Sequence, residues 1–221
     1  MNNIASLIDH TLLKPDATIV DIERLCHEAT QYQFHSVCVN PFHVPSAVTV
    51  LKNTSVKVCT VIGFPLGANL TEIKAAETRA ALRDGACEID MVLNIGALKT
   101  GNSAAVFADI QTVIEICHEA RAICKVILEI CLLIDVEKTH ACELCIQAGA
   151  DFVKTSTGFS TAGGATADDV ALMSRLVKPH GLGVKASGGI RSLADLQKMV
   201  NAGATRIGTS NGIKILQEVT G

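Results

Sequence analysis

Eight short β-rich runs recur along the chain: LIDHT, SVCVN, VCTVIGF, EIDMVLN, KVILEI, FVKTST, GVKASG and RIGTS. The stretches between most of them, such as TIVDIERLCHEATQYQ, TEIKAAETRAALRDG, AVFADIQTVIEICHEARAI and VEKTHACELCIQAG, carry apolar residues at spacings of three and four and read as amphipathic helices. Strands linked through helices form a parallel sheet. Gly85-Ala86, Gly149-Ala150 and Gly203-Ala204 each end a helical stretch shortly before a strand, where glycine suits a helix C-cap, and the first two are spaced to hold two βα units of about 30 residues each. An open doubly wound sheet is the alternative. Eight units in 221 residues, uninterrupted by any linker, favour closure into a single (β/α)8 TIM barrel, one α/β domain over residues 1–221.

Composition narrows the function. A net charge of −3 gives no broad positive field, so neither a nucleic-acid backbone nor an acidic membrane surface is an expected partner, and an anionic ligand must be held locally. The start, MNNIASLIDHTLLKP, lacks the basic segment and long apolar run of a secretion signal, and no stretch reaches the roughly 18 apolar residues of a membrane span. The expectation is a soluble cytoplasmic protein. Nine cysteines, an odd number lying mostly in apolar runs, argue for a reducing compartment rather than a disulfide framework. His140, Cys142 and Cys145 share one predicted helix with no second ligand pair downstream, so they read as packing residues rather than as a metal site.

Alternation along each strand separates an outer face against the helices from an inner face toward the barrel axis. In EIDMVLN, Ile89, Met91 and Leu93 form the apolar outer set, which turns Glu88, Asp90, Val92 and Asn94 inward. In FVKTST, Val153 and Thr155 face out while Phe152, Lys154 and Ser156 face in; in GVKASG, Val184 and Ala186 face out while Lys185 and Ser187 face in. Two lysines on neighbouring strands thus enter one interior. Burying like charges side by side is costly, and stability alone would not select it. One alternative has each lysine snorkel to the rim and pair with Asp90 or Glu129.

The other alternative is chemical. Imine formation needs an unprotonated amine, and an ordinary lysine is neutral only about once in ~2,500 molecules at pH 7. Making it neutral near pH 7 takes roughly 4 to 5 kcal/mol, of which a second ammonium about 6 Å away supplies roughly 3 kcal/mol at an effective dielectric near 20. One lysine's charge would make the other nucleophilic, with Asp90 on hand to move protons. Spacing does not say which lysine attacks.

After the seventh run comes Gly188-Gly189-Ile190-Arg191, and after the eighth Gly208-Thr209-Ser210-Asn211-Gly212 opens the last helix. Barrels often bind phosphate there, through backbone N–H groups and a helix N-terminus, with Ser187, Ser210 and Arg191 as further donors. Each loop alone could be a tight turn, and Arg191 a solvated residue before the cap at Ser192. Both together point to a sugar phosphate.

With these residues in place the chain resembles the deoxyribose-phosphate aldolases. The likeness runs from Ile8-Asp9-His10-Thr11 nearly to the C-terminus and is strongest in the stretch Phe152-Val153-Lys154-Thr155-Ser156-Thr157-Gly158-Phe159. It is supported by Glu88-Ile89-Asp90-Met91-Val92, Val184-Lys185-Ala186-Ser187-Gly188-Gly189 and Val37-Cys38-Val39-Asn40-Pro41. The resemblance implies a class I, Schiff-base aldolase that reversibly splits 2-deoxy-D-ribose 5-phosphate, with no metal and no cofactor. It implies Lys154 as the imine-forming residue, Lys185 as its activating neighbour and Asp90 as the proton relay. It adds Thr157, Gly158 and Asn211 to the substrate-binding set, Cys38 as pocket lining and Asp9 as a residue that positions a polar group. Two departures stand out. Some members carry a lysine at Phe159, and some end in a tyrosine that assists proton transfer, where this chain ends Glu218-Val219-Thr220-Gly221. Slower turnover is the expectation. A transaldolase-like lyase and a non-catalytic sugar-phosphate-binding barrel are the rival readings; association into a homodimer or larger homo-oligomer is left open.

Overall fold

The computed structural model describes residues 4–220, so Gly221, the last residue of the stretch Glu218-Val219-Thr220-Gly221, lies outside the described residues. The eight strands are β1 (Ile8–Leu12), β2 (Ser36–Val39), β3 (Lys57–Ile62), β4 (Glu88–Val92), β5 (Ile123–Ile127), β6 (Phe152–Lys154), β7 (Gly183–Ser187) and β8 (Arg206–Thr209). Each pairs in parallel with the next, and β8 returns to β1 through Ile8↔Ile207 and Asp9↔Gly208. The barrel is closed, so no strand edge is left open.

The intervening helices are α1 (Ile19–Gln31), α2 (Val44–Val50), α3 (Thr71–Arg83), α4 (Ile95–Lys99), α5 (Ser103–Glu119), α6 (Asp135–Ala148), α7 (Ala167–Val177), α8 (Leu193–Asn201) and α9 (Gly212–Thr220). Their starts follow the sequence: Thr18 and Ser192 close capping boxes with Asp21 and Asp195. The three Gly-Ala pairs terminate α3, α6 and α8 in one way. Ala86 N–H reaches Ala81 C=O, Ala150 N–H reaches Cys145 C=O and Ala204 N–H reaches Met199 C=O, the six-to-one bond of a Schellman cap.

The apolar core lies between barrel and helices. Ile89, Met91, Leu93, Val153, Val184 and Ala186 all belong to it, as strand alternation requires. Cys142 and Cys145 are buried in α6, and burial pushes the Cys142 thiol up to about 12. Inside the barrel a second, small apolar group, Leu13, Cys38, Cys59 and Val61, fills the β1–β3 side. Much of the rest of the interior is charged.

The outer layer holds one charge that periodicity hides. Lys74, on the inner face of α3, is fully buried; its Nζ donates to Val92 C=O at 2.9 Å and to Asp109 of α5 at 2.5 Å, and Asp109 also accepts from Thr71 Oγ1 at 3.0 Å. The pair ties both helices to the end of β4. Removing one partner strands a buried charge, whereas replacing both by apolar groups does not. We expect Lys74→Met to lower unfolding free energy by about 3–5 kcal/mol and Lys74→Met/Asp109→Leu to recover much of that loss; denaturant melts of the single and double variants measure it.

Candidate active site

β4, β5, β6, β7, β8 and β1 each turn a charged side chain into the barrel. Register sets Lys154 level with Lys185, and Asp90 level with Lys125. Asp90 Oδ2 accepts from Lys154 Nζ at 2.8 Å and from Lys185 Nζ at 2.7 Å, while its Oδ1 accepts from Lys125 Nζ at 2.9 Å and from Cys59 Sγ at 3.2 Å. One carboxylate therefore receives three ammonium groups. Below it, Lys185 also meets Asp9 at 2.5 Å, Lys125 meets Glu88 at 2.6 Å, and Arg206 bridges Asp9 (2.9 Å) and Glu88 (3.0 Å).

Of the two alternatives read from the lysines, the ion pairing is what the structure displays. The lysines do pair with Asp90, but inside the barrel rather than at its rim, where Lys185 is 0% and Lys154 3% exposed. Glu129 takes no lysine; it accepts from Thr157 instead. Because the Lys154 and Lys185 ammonium groups touch the same oxygen, they lie closer than the roughly 6 Å assumed for mutual repulsion.

Burial pushes the Asp90 carboxyl upward, but Lys125, Lys154 and Lys185 outweigh it and hold the group well below the usual carboxylate range. Burial pulls Lys185 down, and the carboxylates of Asp9 and Asp90 outweigh that, so its ammonium is held above the ordinary lysine value. Glu88 is lowered to about 2, where Lys125 and a hydrogen bond from His35 overcome the opposing effect of burial. The resting cluster is thus ionised at Asp90, Glu88 and Lys185.

Among the described residues, Lys125, Lys154, Lys185 and Arg206 face Asp9, Glu88 and Asp90. With one of these lysines as a neutral amine, the charges match one for one. Lys154 is the lysine at the opening: it alone of the three lines the adjoining cavity of about 330 Å³. Cys38, Cys59 and Asp90 also bring ligand-type atoms within 4.8 Å of one another, but Lys125 already donates to both Cys59 and Asp90 there.

That cavity holds most of the sequence-predicted binding residues: Thr157 and Gly158 after β6, Ser187 at the end of β7 with Gly188, Gly189 and Arg191 after it, and Gly208 in β8 with Ser210 and Asn211 after it. Gly208 is favoured by close approach, since a Cβ there would lie 3.1 Å from both Lys185 Cε and Ser187 Cβ and press on them. Thr209 Oγ1 donates to Ile190 C=O at 2.7 Å and accepts from Asn211 N–H, fastening the two phosphate-type loops together in front of α9. Ser210 and Arg191 are exposed at the rim. Ser187 is less available than expected, because its hydroxyl donates to Ser156 C=O at 2.7 Å.

Cys38 and Asp9 fall elsewhere. Both are fully buried inside the barrel, Cys38 in the apolar group and Asp9 on Lys185 and Arg206, and neither lines the cavity. Sequence reasoning missed Lys125 by starting its strand at that residue; β5 begins at Ile123, which makes Lys125 the inward-facing centre. It also missed Lys14, an exposed lysine just past β1 that lines the same cavity as Phe159 and offers a cation on a different loop.

The sequence profile of the DeoC/LacD family aldolases matches residues 4–218. The chain belongs to this family. It is 58% identical over 219 residues to the deoxyribose-phosphate aldolase of Geobacillus sp. (strain WCH70), covering 99% of this chain and 97% of the relative. It is 57% identical over 216 residues to that of Carboxydothermus hydrogenoformans, covering 97% and 94%. In three dimensions it matches the tetrameric deoxyribose phosphate aldolase of Aeropyrum pernix with a TM-score of 0.92 at 39% identity, over 98% of this chain and 91% of that one.

The cluster predicts a specific response at its centre. In Lys185→Leu, Asp9 keeps Arg206 and Asp90 keeps Lys125 and Lys154, so the fold survives. Imine formation should slow by orders of magnitude at neutral pH, with the rate recovering toward higher pH. Stopped-flow kinetics across pH check this, and an unchanged pH–rate profile removes Lys185 from the activating role.

Proposed function

We infer that the chain is a deoxyribose-phosphate aldolase, an enzyme that reversibly cleaves 2-deoxy-D-ribose 5-phosphate into acetaldehyde and D-glyceraldehyde 3-phosphate. Near-full-length identity to enzymes of that name supports the activity. The observation that carries the mechanism is that one cavity joins Lys154 to both glycine loops, so an imine-forming lysine and a phosphate-type site open into the same space.

Lys154 attacks the aldehyde carbon, and loss of water leaves a protonated imine. A base then removes the proton of the 3-hydroxyl, the electrons of the bond between the second and third carbons pass to the imine, and glyceraldehyde 3-phosphate departs. The enamine is protonated on its terminal carbon and hydrolysed to acetaldehyde, which frees the amine. Asp90, held as a carboxylate, accepts and returns protons by way of Lys185 and water. Backbone N–H groups of the Gly188-Gly189 loop and the start of α9, with Ser210, Arg191 and Lys14, receive the phosphate. Lys125 and Asp9 act through Asp90 and Lys185, as positioning residues.

The chain has the same barrel as the tetrameric Aeropyrum enzyme, and assembly into a homo-oligomer is part of this reading. Among the described residues no helix is long and apolar enough to cross a membrane, in keeping with a cytoplasmic enzyme.

The purified protein should convert deoxyribose 5-phosphate to equimolar acetaldehyde and glyceraldehyde 3-phosphate, and Lys154→Met should lower kcat at least about a thousandfold while the protein stays folded. Coupled assays of each product test this. Undiminished turnover in the variant contradicts the mechanism, and absent turnover in the parent contradicts the activity.

A further inference from the structure

Glu129 follows β5 at the cavity end of the barrel and is 3% exposed, yet its backbone sits at a φ of 53°. The left-handed region costs a non-glycine residue roughly 1–2 kcal/mol, and such strain persists where a side chain must be aimed. Here it aims a carboxylate at the loop after Lys154. Thr157 N–H donates to Oε1 at 3.2 Å, the Thr157 hydroxyl donates to Oε2, and Cys131 Sγ lies 3.8 Å from Oε1. The same Thr157 oxygen accepts from Phe159 N–H at 3.0 Å.

This bonding fixes the polarity of a residue that lines the cavity. A carboxylate only accepts, so the Thr157 hydrogen is committed to Glu129. Of the two lone pairs on the hydroxyl oxygen one receives Phe159, and one is left. Toward the cavity Thr157 is therefore an acceptor. A phosphate dianion presents acceptors of its own and gains nothing from it, whereas a sugar hydroxyl can donate to it.

We propose that Glu129 is a specificity-determining positioning residue: by holding the hydroxyl hydrogen of Thr157 it leaves that oxygen as the acceptor for the substrate's 4-hydroxyl, between the scissile bond and the phosphate. This rests on the aldolase reading above. Within the substrate-binding set it assigns Thr157 to the carbon chain. In glyceraldehyde 3-phosphate the same group is the 2-hydroxyl, so the preference is measurable in the synthetic direction.

The test is Glu129→Gln. Glutamine can still accept from Thr157 N–H, but its NH2 donates to Thr157 Oγ1 and turns the hydroxyl hydrogen outward. Acetaldehyde is added to D-glyceraldehyde 3-phosphate or to 3-oxopropyl phosphate, which lacks the hydroxyl, with inhibition by inorganic phosphate measured in parallel. We expect kcat/KM to fall at least about tenfold for glyceraldehyde 3-phosphate, one misplaced hydrogen bond, with little change for 3-oxopropyl phosphate or for phosphate inhibition. Thr157→Val should lose the same preference, and adding Glu129→Gln to it should change the ratio of the two acceptors no further. Equal losses with both acceptors, a weakened phosphate inhibition, or a preference that survives in Thr157→Val would overturn the proposal. A parent enzyme that adds acetaldehyde to neither acceptor would instead overturn the aldolase reading on which it stands.

Discussion

Asp90 binds the amino groups of three lysines with two oxygens, fully buried in the centre of the barrel. Remove that carboxylate and Lys125, Lys154 and Lys185 become like charges buried beside one another, which no apolar packing offsets. Its position follows from a simple constraint. In β4 the residues on either side of it, Ile89 and Met91, must face the helices, so residue 90 must face the axis. The other strands obey the same rule, and parallel register brings their charges level.

The arrangement also separates tasks by depth. Deep in the barrel, Glu88 pairs with Lys125 and Asp9 with Lys185, and Arg206 bridges the two carboxylates, which holds both lysine ammonium groups charged. Lys154 sits at the upper boundary with Asp90 as its ion-pair partner and the cavity on its other side. A neutral Lys154 leaves the remaining charges balanced. The outer wall, tied down by Lys74 and Asp109, and the loops joined by Thr209 hold the strand ends that this geometry needs.

Much of this was legible in the chain. Strand alternation located Asp90, Lys154 and Lys185, and the Gly-Ala pairs marked the repeat, because both signals are local. Lys125 was hidden by a boundary: with its strand begun two residues late, a central residue looks like an exposed end. Lys14, and the bonding of Glu129 to Thr157 in place of a lysine, were hidden for another reason. Both residues lie past a strand, where side-chain direction is set by loop conformation, and a left-handed glutamate leaves no mark in a hydrophobic pattern. Cys38 and Asp9 read as substrate-binding residues, and only the packed interior shows that they lie beneath the cavity rather than in its wall. The choice between Lys154 and Lys185, which spacing left open and family likeness decided, gains a physical basis in access: one lines the cavity, the other is sealed.

That choice is the central claim, and it can be read directly. Borohydride reduction in the presence of deoxyribose 5-phosphate or acetaldehyde fixes any imine as a stable secondary amine, and mass mapping of the digested protein locates it. The account predicts a single adduct, on Lys154 within the stretch Phe152–Phe159. An adduct on Lys185 or Lys125, or none at all, would contradict it.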